Sequence, residues 1–217
     1  MRRKLADAGE GGSRHAEHPP IPPDARATLK LLIVEDDRTL REGLVVTLRA
    51  DGFTVSSAAS GAEALAELER SRYDIVITDL HLQPVTGADV LRAARRAQPH
   101  VVVVVITGDP SLPGCLEVIR AGAWDCLPKP FSAAHLRDLL ARAVHVVLQA
   151  NGSARAGTLA VTQDDEPSRR ERMITEFERA YLGRLMRDVG RNRKRAARLA
   201  RIDTTTLHQL LEKHALE

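Results

Sequence analysis

The sequence predicts an α/β fold with a doubly wound parallel sheet, followed by a small all-α domain. Short apolar runs recur along most of the chain, and segments of helical periodicity separate them. Strands that alternate with helices in this way form right-handed crossovers in an open sheet. After residue 168 the strand pattern stops and arginine becomes frequent. These observations predict two different folded units in one chain.

Five apolar runs are the predicted strands. They cover residues 29–34, 53–58, 74–78, 101–107 and 123–127. The first, third and fourth runs are continuous rather than alternating, which is typical of strands buried on both faces of a sheet. The predicted helices carry apolar stripes at Leu40, Leu44, Val45 and Leu48, at Ala62, Leu65, Ala66 and Leu68, at Val90, Leu91 and Ala94, and at Leu136, Leu139, Leu140, Ala143 and Val147. The pattern predicts five parallel strands that alternate with helices.

Composition suggests the domain boundaries. Residues 1–28 are polar and rich in Gly, Pro and Ala, which predicts a flexible N-terminal extension. We expect the sheet domain over 29–150, a linker over 151–168 and the helical domain over 169–217. From Ser168 to Glu217 there are 13 lysines and arginines against 7 aspartates and glutamates, a balance of +6, whereas the whole chain carries +3. The positive charge is therefore concentrated in the helical domain.

The composition also excludes several classes of protein. Two cysteines cannot build a disulfide framework or a zinc cluster, so a reducing cytosol is expected. No apolar segment follows the basic start, which predicts no secretory signal. The longest apolar run, residues 101–106, is too short to cross a bilayer. We expect a soluble cytoplasmic protein with no membrane partner.

Polar residues follow four of the predicted strands, at the edge of the sheet where chemistry collects in α/β folds. These residues are Glu35, Asp36 and Asp37, then Asp79, then Thr107 and Gly108, and then Lys129 and Pro130. Clustered carboxylates repel one another and favour a divalent hard cation such as Mg²⁺. Asp79 can then act as a nucleophile toward phosphorus, with Lys129 and the Thr107 hydroxyl binding the phosphoryl oxygens.

Each of these residues has a plainer interpretation when it is taken alone. Asp79 could cap a turn, and residues 35–37 could cap the following helix. Lys129 could be a solvated lysine, and Thr107 an ordinary strand end. Their occurrence together, in order, at four strand ends favours the phospho-acceptor interpretation.

These motifs resemble the receiver domain of two-component response regulators, which has a flavodoxin-like fold. The matching stretches are "LLIVEDD" (31–37), "DIVITDL" (74–80), Gly87 eight residues after Asp79, "VVVVITG" (102–108) and "AGAWDCLPKPF" (121–131). The resemblance covers about residues 29–148. It implies that Asp79 accepts a phosphoryl group from a sensor histidine kinase. It also implies Mg²⁺ ligation by Glu35, Asp36, Asp79 and the backbone carbonyl of His81.

The resemblance assigns roles to further residues around the phosphoryl group. Thr107 is expected to be the switch hydroxyl, and Lys129 to bind the phosphate before a cis Pro130. We expect Gly108 to leave room for water and the donor. Asp109 is expected to place a charge nearby or to orient water.

One departure from the family pattern is Cys126, at the position where an aromatic residue usually moves with the threonine. A cysteine cannot fill the volume of an aromatic ring, so Cys126 could be only a core residue. The alternative of a phosphorylation-independent regulator or docking module therefore stays open. An aspartyl-phosphate phosphatase is disfavoured, because such enzymes need a second carboxylate two residues after the nucleophile, where this chain has His81.

The C-terminal segment predicts three helices. Ile174, Phe177, Tyr181, Leu185 and Val189 form the apolar stripe of the first helix, which Gly190 is expected to end. A short second helix spans 194–201, and Asp203 or Thr204 can cap the third. Two short helices around a tight turn fit a helix-turn-helix. The stretch "RNRKRAARLARIDTTTLHQLL" resembles the Fis-type DNA-binding domain of many response regulators.

This second resemblance implies that the third helix enters the major groove of duplex DNA and that the first helix forms a homodimer. The expected phosphate contacts are Arg191, Arg193, Lys194, Arg195 and Arg198, and the expected base contacts are Thr204, Thr205, Thr206 and His208. Arg201 replaces the usual turn glycine, and the basic stretch could also be only a solvated face. No G-x-x-x-x-G-K-[ST] motif occurs, so no central ATPase domain is expected. Together the motifs predict a DNA-binding response regulator that controls transcription.

Overall fold

A computed structural model describes residues 23–109, 111–155 and 166–216. Their strands are β1 (Lys30–Val34), β2 (Thr54–Ala58), β3 (Ile75–Asp79), β4 (Val102–Thr107) and β5 (Asp125–Pro128). Their helices are α1 (Pro23–Thr28), α2 (Arg38–Ala50), α3 (Gly61–Arg70), α4 (Gly87–Ala97), α5 (Leu112–Arg120), α6 (Ala133–Arg155), α7 (Glu166–Asp188), α8 (Arg193–Ala200) and α9 (Thr204–Lys213). Strands and helices alternate from β1 to α6, and the three remaining elements are helices.

The five strands form one parallel sheet in the order β2-β1-β3-β4-β5. The predicted five-stranded parallel α/β sheet is therefore confirmed. The strand order reverses between β1 and β3, which makes their carboxyl ends the topological switch point where α/β folds bind ligands. Val34 pairs with Thr78 across this junction, so Glu35 and Asp79 emerge side by side.

Two apolar layers cover the two faces of the sheet. Every residue of β3 and β4 is buried, which explains their continuous apolar sequence. One layer contains Leu32, Val76 and Val105 with residues of α3, α4 and α5. The other contains Ile33 and Ile77 with residues of α2 and α6. Alternate strand residues thus anchor the sheet from both sides and hold its carboxyl edge in place.

Two predicted irregular segments are partly helical. Residues 23–28 form α1 instead of a flexible extension, because Leu29 N–H bonds to the Arg26 carbonyl and Thr54 Oγ1 donates to the Ala27 carbonyl. Residues 1–22 lie outside the described residues. Of the predicted linker 151–168, the first five residues continue α6 and the last three belong to α7, since adding a residue to an existing helix needs no new nucleus. The segment 156–165 also lies outside the described residues.

The helices α7, α8 and α9 form the C-terminal unit. Its core contains Leu182, Met186, Val189, Ala196, Ala197, Ala200, Leu207 and Leu211. Asp203, rather than Thr204, caps α9, because its Oδ1 accepts from the Thr206 N–H at 2.8 Å. Buried Glu178 of α7 binds Lys213 at 2.7 Å and His214 at 2.9 Å, which ties α7 to the end of α9.

None of the helices within the described ranges combines the length and the apolar character needed to cross a bilayer.

Candidate functional site

Three carboxylates lie together at the ends of β1 and β3. Glu35, Asp36 and Asp79 each offer an oxygen atom within 4.8 Å of the others. Glu35 and Asp79 are only 1% and 7% exposed, whereas Asp36 faces solvent. The His81 N–H donates to Asp79 Oδ1 at 2.9 Å and fixes the direction of that carboxylate. The three carboxylates expected from the sequence resemblance to bind Mg²⁺ therefore lie together.

Lys129 provides the positive charge of this cluster. Its Nζ lies 2.6 Å from Asp79 Oδ2 and 2.8 Å and 3.0 Å from the two Glu35 oxygens. Burial lowers the pKa of Lys129, but its hydrogen bonds to Asp79 and Glu35 outweigh burial and raise that pKa. Burial raises the pKa of Glu35, and the bond to Lys129 offsets only part of that rise. A charged ammonium thus compensates two buried carboxylates.

Thr107 and the two residues after it form the next wall of the site. Thr107 is 1% exposed and is the last residue of β4, the strand between β3 and β5. On one side Ile106 of β4 pairs with Asp79 of β3, and on the other side Thr107 pairs with Pro128 of β5. Its hydroxyl accepts from the Asp109 N–H at 3.0 Å. Among the described residues, a Cβ added to Gly108 would meet no atom within 4 Å. The loop after β4 therefore combines an anchored hydroxyl with an open flank.

The loops of the site contain one required glycine and two cis peptides. A Cβ added to Gly87 would lie 1.9 Å from the Asp79 carbonyl oxygen, so only glycine allows α4 to begin this close to β3. The Lys129–Pro130 peptide is cis, as the sequence resemblance implied. The Gln83–Pro84 peptide is cis as well.

Arg41 makes a contribution to the site that was not predicted from the sequence. Its Nη1 donates to the carbonyl oxygens of Glu35 at 2.7 Å and Asp36 at 3.2 Å. Asp37 caps α2 by accepting from the Leu40 N–H at 2.8 Å. The sequence signal that could have identified Arg41 is a basic residue in the first turn of the helix that follows an acidic loop. Both interpretations of 35–37 therefore apply, because Asp37 is the cap and the other two residues join the carboxylate cluster.

Cys126 lies away from the carboxylates, in the layer between β5 and α5. Cys126 and Cys115 are both fully buried and free, and their Sγ atoms are 2.6 Å apart. The hydrogen bond to Cys115, together with burial, raises the pKa of the Cys126 thiol. In the structure Cys126 is therefore a core residue that packs against Cys115.

The residues predicted to contact DNA lie on the outer surface of the C-terminal unit. The exposed ones are Arg191, Arg193, Lys194, Arg195, Arg198, Thr204, Thr205 and His208. Thr206 is half-buried, and its hydroxyl and N–H both bond to Asp203, so part of its hydrogen-bonding capacity serves the helix cap. The alanines of α8 point inward, which leaves its cations on the solvent face.

The family model of the response regulator receiver domain matches residues 31–141. FleR of Pseudomonas aeruginosa, a response regulator protein, is 35% identical over 178 residues, which cover 82% of this chain and 32% of FleR. The chain thus spans about a third of that relative. TcrX of Mycobacterium tuberculosis, named a probable transcriptional regulatory protein, is 29% identical, with 79% of this chain and 75% of TcrX covered.

A solved receiver domain protein from Clostridium thermocellum superposes with a TM-score of 0.51 at 28% identity, covering 57% of this chain and 97% of its own. The matched family segment spans the whole sheet, from β1 into α6, and includes every residue of the carboxylate cluster. The chain therefore belongs to the response regulator receiver family.

Proposed function

We propose that the protein is a DNA-binding response regulator in which Asp79 accepts a phosphoryl group from a sensor histidine kinase. The observation that carries the proposal is the buried Asp79 carboxylate, which lies 2.6 Å from the Lys129 ammonium and beside the carboxylates of Glu35 and Asp36. A carboxylate oxygen of Asp79 forms a bond to phosphorus as the phosphorus–nitrogen bond of the kinase phosphohistidine breaks. The freed imidazole nitrogen then takes up a proton.

Two groups of the chain would stabilise the transferred phosphoryl group. Lys129 would turn from Glu35 toward a phosphoryl oxygen, and the Thr107 hydroxyl would donate to another. The open flank at Gly108 admits the donor and, later, the water that removes the phosphate. Because Lys129 and Thr107 already lie at the same edge of the sheet as Asp79, rotation of their side chains would bring them to the phosphoryl oxygens.

The donor set fits a magnesium ion. Oxygen atoms of Glu35, Asp36 and Asp79 lie within 4.8 Å of one another, and Mg²⁺ prefers such carboxylates together with a carbonyl and waters. These residues and the His81 carbonyl would hold it. When bound, the ion supplies positive charge that offsets the repulsion between Asp79 and the incoming phosphoryl group.

The C-terminal unit is proposed to be a Fis-type helix-turn-helix that binds duplex DNA. Its support is a short basic helix joined to α9 by a tight turn, with exposed cations on α8 and exposed threonines at the start of α9. The arginines would contact phosphates, and Thr204, Thr205 and His208 base edges. Dimerisation through α7 and a cytoplasmic location belong to the same proposal.

The first test of the proposal is phosphorylation of the full chain. Incubation with a small phosphodonor and Mg²⁺ should add the mass of one phosphoryl group, and chelation of Mg²⁺ should prevent this. Asp79→Asn should stay unlabelled. If this variant is labelled as fully as the wild type, Asp79 is not the acceptor.

A second candidate is a receiver that docks to partners without phosphorylation. Cys126 favours it, because a buried cysteine packed on Cys115 occupies the position where the family usually has a mobile aromatic ring. Genome-wide mapping of DNA occupancy separates the two candidates. Asp79→Asn should change the occupancy under the first candidate and leave it unaltered under the second.

A further inference from the structure

The chain contains two cysteines, and the fold brings them together at a place that phosphoryl transfer does not use. Cys115 lies on α5 and Cys126 on β5, and both are fully buried. Cys126 pairs with Val105 of β4 and shares with it the apolar layer that contains Cys115. Packing of α5 on the sheet therefore joins two thiols that belong to different elements.

The two sulfur atoms are close enough for a bond to form between them. Their Sγ atoms are 2.6 Å apart. This separation is shorter than the roughly 3.5–4.0 Å at which buried heavy atoms usually pack, and it is about half an ångström longer than a sulfur–sulfur bond. A small rotation of either side chain would bring Cys115 and Cys126 to bonding distance.

The hydrogen bond within the pair gives the two sulfurs different roles. The Cys126 thiol donates to Cys115 Sγ. This bond, together with burial and the charge of Asp125, raises the pKa of Cys126, and Arg184 of α7 acts in the opposite direction. Because Cys126 retains its proton and directs it at Cys115, Cys115 is the sulfur placed to attack first and Cys126 the sulfur placed to attack second.

The surroundings of the pair select the kind of oxidant. Phe177 and Tyr181 of α7 are 5% and 3% exposed and belong to the same apolar cluster as the two cysteines. Burial, followed by the nearby Cys115 thiol, raises the pKa of the Tyr181 hydroxyl, so this ring lies next to the pair. A closed apolar site disfavours large charged oxidants such as oxidised glutathione and favours a small neutral one.

We propose that Cys115 and Cys126 form an oxidation site at which hydrogen peroxide converts the two thiols to a disulfide that joins α5 to β5. This modification goes beyond the proposed function and does not depend on phosphorylation of Asp79. In a reducing cytosol the disulfide would be transient, as redox-sensing disulfides are.

The reaction has two balanced steps. First, an electron pair of the Cys115 sulfur forms a bond to one peroxide oxygen, the oxygen–oxygen bond breaks, and the hydroxide that leaves takes the thiol proton as water. The Cys126 sulfur then attacks the sulfenic acid on Cys115. The sulfur–sulfur bond forms, the sulfur–oxygen bond breaks, and the Cys126 proton leaves in a second water. Two thiols lose two electrons and two protons, and one peroxide gains them.

The first measurement uses the full chain, treated with hydrogen peroxide and then alkylated and digested with trypsin in urea. Arg120 lies between the two cysteines, so digestion places Cys115 and Cys126 on separate peptides. The oxidised chain should lose the mass of two hydrogens and give one linked peptide pair that a thiol reductant separates. Disulfide-linked dimers of the chain, or sulfinic acid without linked peptides, would show that the two cysteines are not an intramolecular oxidation site.

Single variants test the order of attack. Cys126→Ser retains a hydrogen-bond donor beside Cys115, so peroxide should leave on Cys115 a sulfenic acid that dimedone traps after unfolding. Cys115→Ser should react roughly tenfold more slowly, because Cys126 keeps its proton. Equal rates in the two variants would contradict the assignment of Cys115 as the attacking sulfur.

Equilibrium in a glutathione redox buffer provides a measurement that needs no variant. The fraction of linked peptides is compared between the folded chain and the chain in concentrated urea. Because the fold holds the two sulfurs together, the ratio of disulfide to dithiol should be roughly a hundredfold higher in the folded chain. Asp79→Asn should give the wild-type ratio, so this result and phosphorylation can fail separately. An equal or lower ratio in the folded chain would mean that the fold opposes the bond, and would overturn the proposal.

Discussion

The carboxyl edge of the sheet and the C-terminal unit are stabilised in different ways. At the sheet edge, Glu35 follows β1 and Asp79 ends β3, two strands that are buried on both faces, and main-chain ladders set the positions of both residues. The C-terminal unit has a small core and is attached to the receiver by one apolar face and an exposed ion pair. Main-chain ladders therefore set the geometry of the first region, whereas the position of the second depends on side-chain contacts with the receiver.

The largest effect at the carboxyl edge of the sheet is expected from Gly87→Ala. Its Cβ would lie 1.9 Å from the Asp79 carbonyl oxygen, so β3 or α4 must shift. We expect a loss of about 3 kcal/mol in the free energy of unfolding, measured by urea denaturation.

The matched control for this variant is Gly43→Ala. Gly43 lies in the exposed face of α2, and its added Cβ would meet no atom of the described residues within 4 Å. Alanine there should stabilise the protein by roughly 0.5–1 kcal/mol. Equal effects of the two variants would show that the contact between α4 and β3 does not constrain the site.

Lys129→Ala tests the charge balance of the same region. Without the ammonium that compensates Glu35 and Asp79, phosphorylation by a small donor should slow about a hundredfold. The affinity for Mg²⁺, measured by calorimetry, should rise several-fold because the carboxylates are then less neutralised. Lys30→Ala, an exposed lysine at the opposite end of β1, is the control and should alter neither quantity. Weaker Mg²⁺ binding in Lys129→Ala would contradict this account of Lys129.

The basic surface of α8 is the test of the second region. Replacing Arg195 and Arg198 by alanine in the full chain should weaken binding to specific and random duplexes alike. Each lost phosphate contact flattens the slope of log affinity against log salt by about 0.9. Replacing Thr205 and His208 should relax sequence preference with little change in that slope. If both double variants behave identically across a salt series, the assignment of α8 to phosphates and α9 to bases is wrong.

The smallest expected effect is the response of the C-terminal unit to acid. Burial acts to raise the pKa of Glu178, but hydrogen bonds from Lys213 and His214 lower it below the ordinary value. A carboxyl with a lowered folded pKa stabilises the protein above its unfolded pKa, and this contribution is lost as pH falls through the folded value. The thermal midpoint should therefore fall more between neutral and acidic pH in the wild type than in Glu178→Gln. Glu176→Gln, exposed on the same helix, should retain the wild-type response.

Much of the fold and part of the site followed from local patterns. Continuous apolar runs are visible in sequence because strands buried on both faces tolerate few polar residues. Polar residues directly after such runs reach one edge of any parallel sheet, so the association of Glu35, Asp79 and Lys129 was predictable. The cation of Arg41 was missed because its hydrogen bonds go to main-chain carbonyls, which leave no pattern in side-chain chemistry.

The sequence alone determined the sheet, the cluster at its carboxyl edge and the separate helical unit with its excess of positive charge. Only the tertiary structure decided which residues meet across the chain, such as Cys115 with Cys126 and Arg201 with Asp109. The physical reason lies in the range of the interactions. Periodicity reports whether a side chain faces a core, whereas the partner of that side chain depends on how separate elements pack together. For that reason the sequence identifies Arg201 only as an unfavourable residue for a turn. The structure shows that its side chain contacts Asp109, in the loop that follows Thr107.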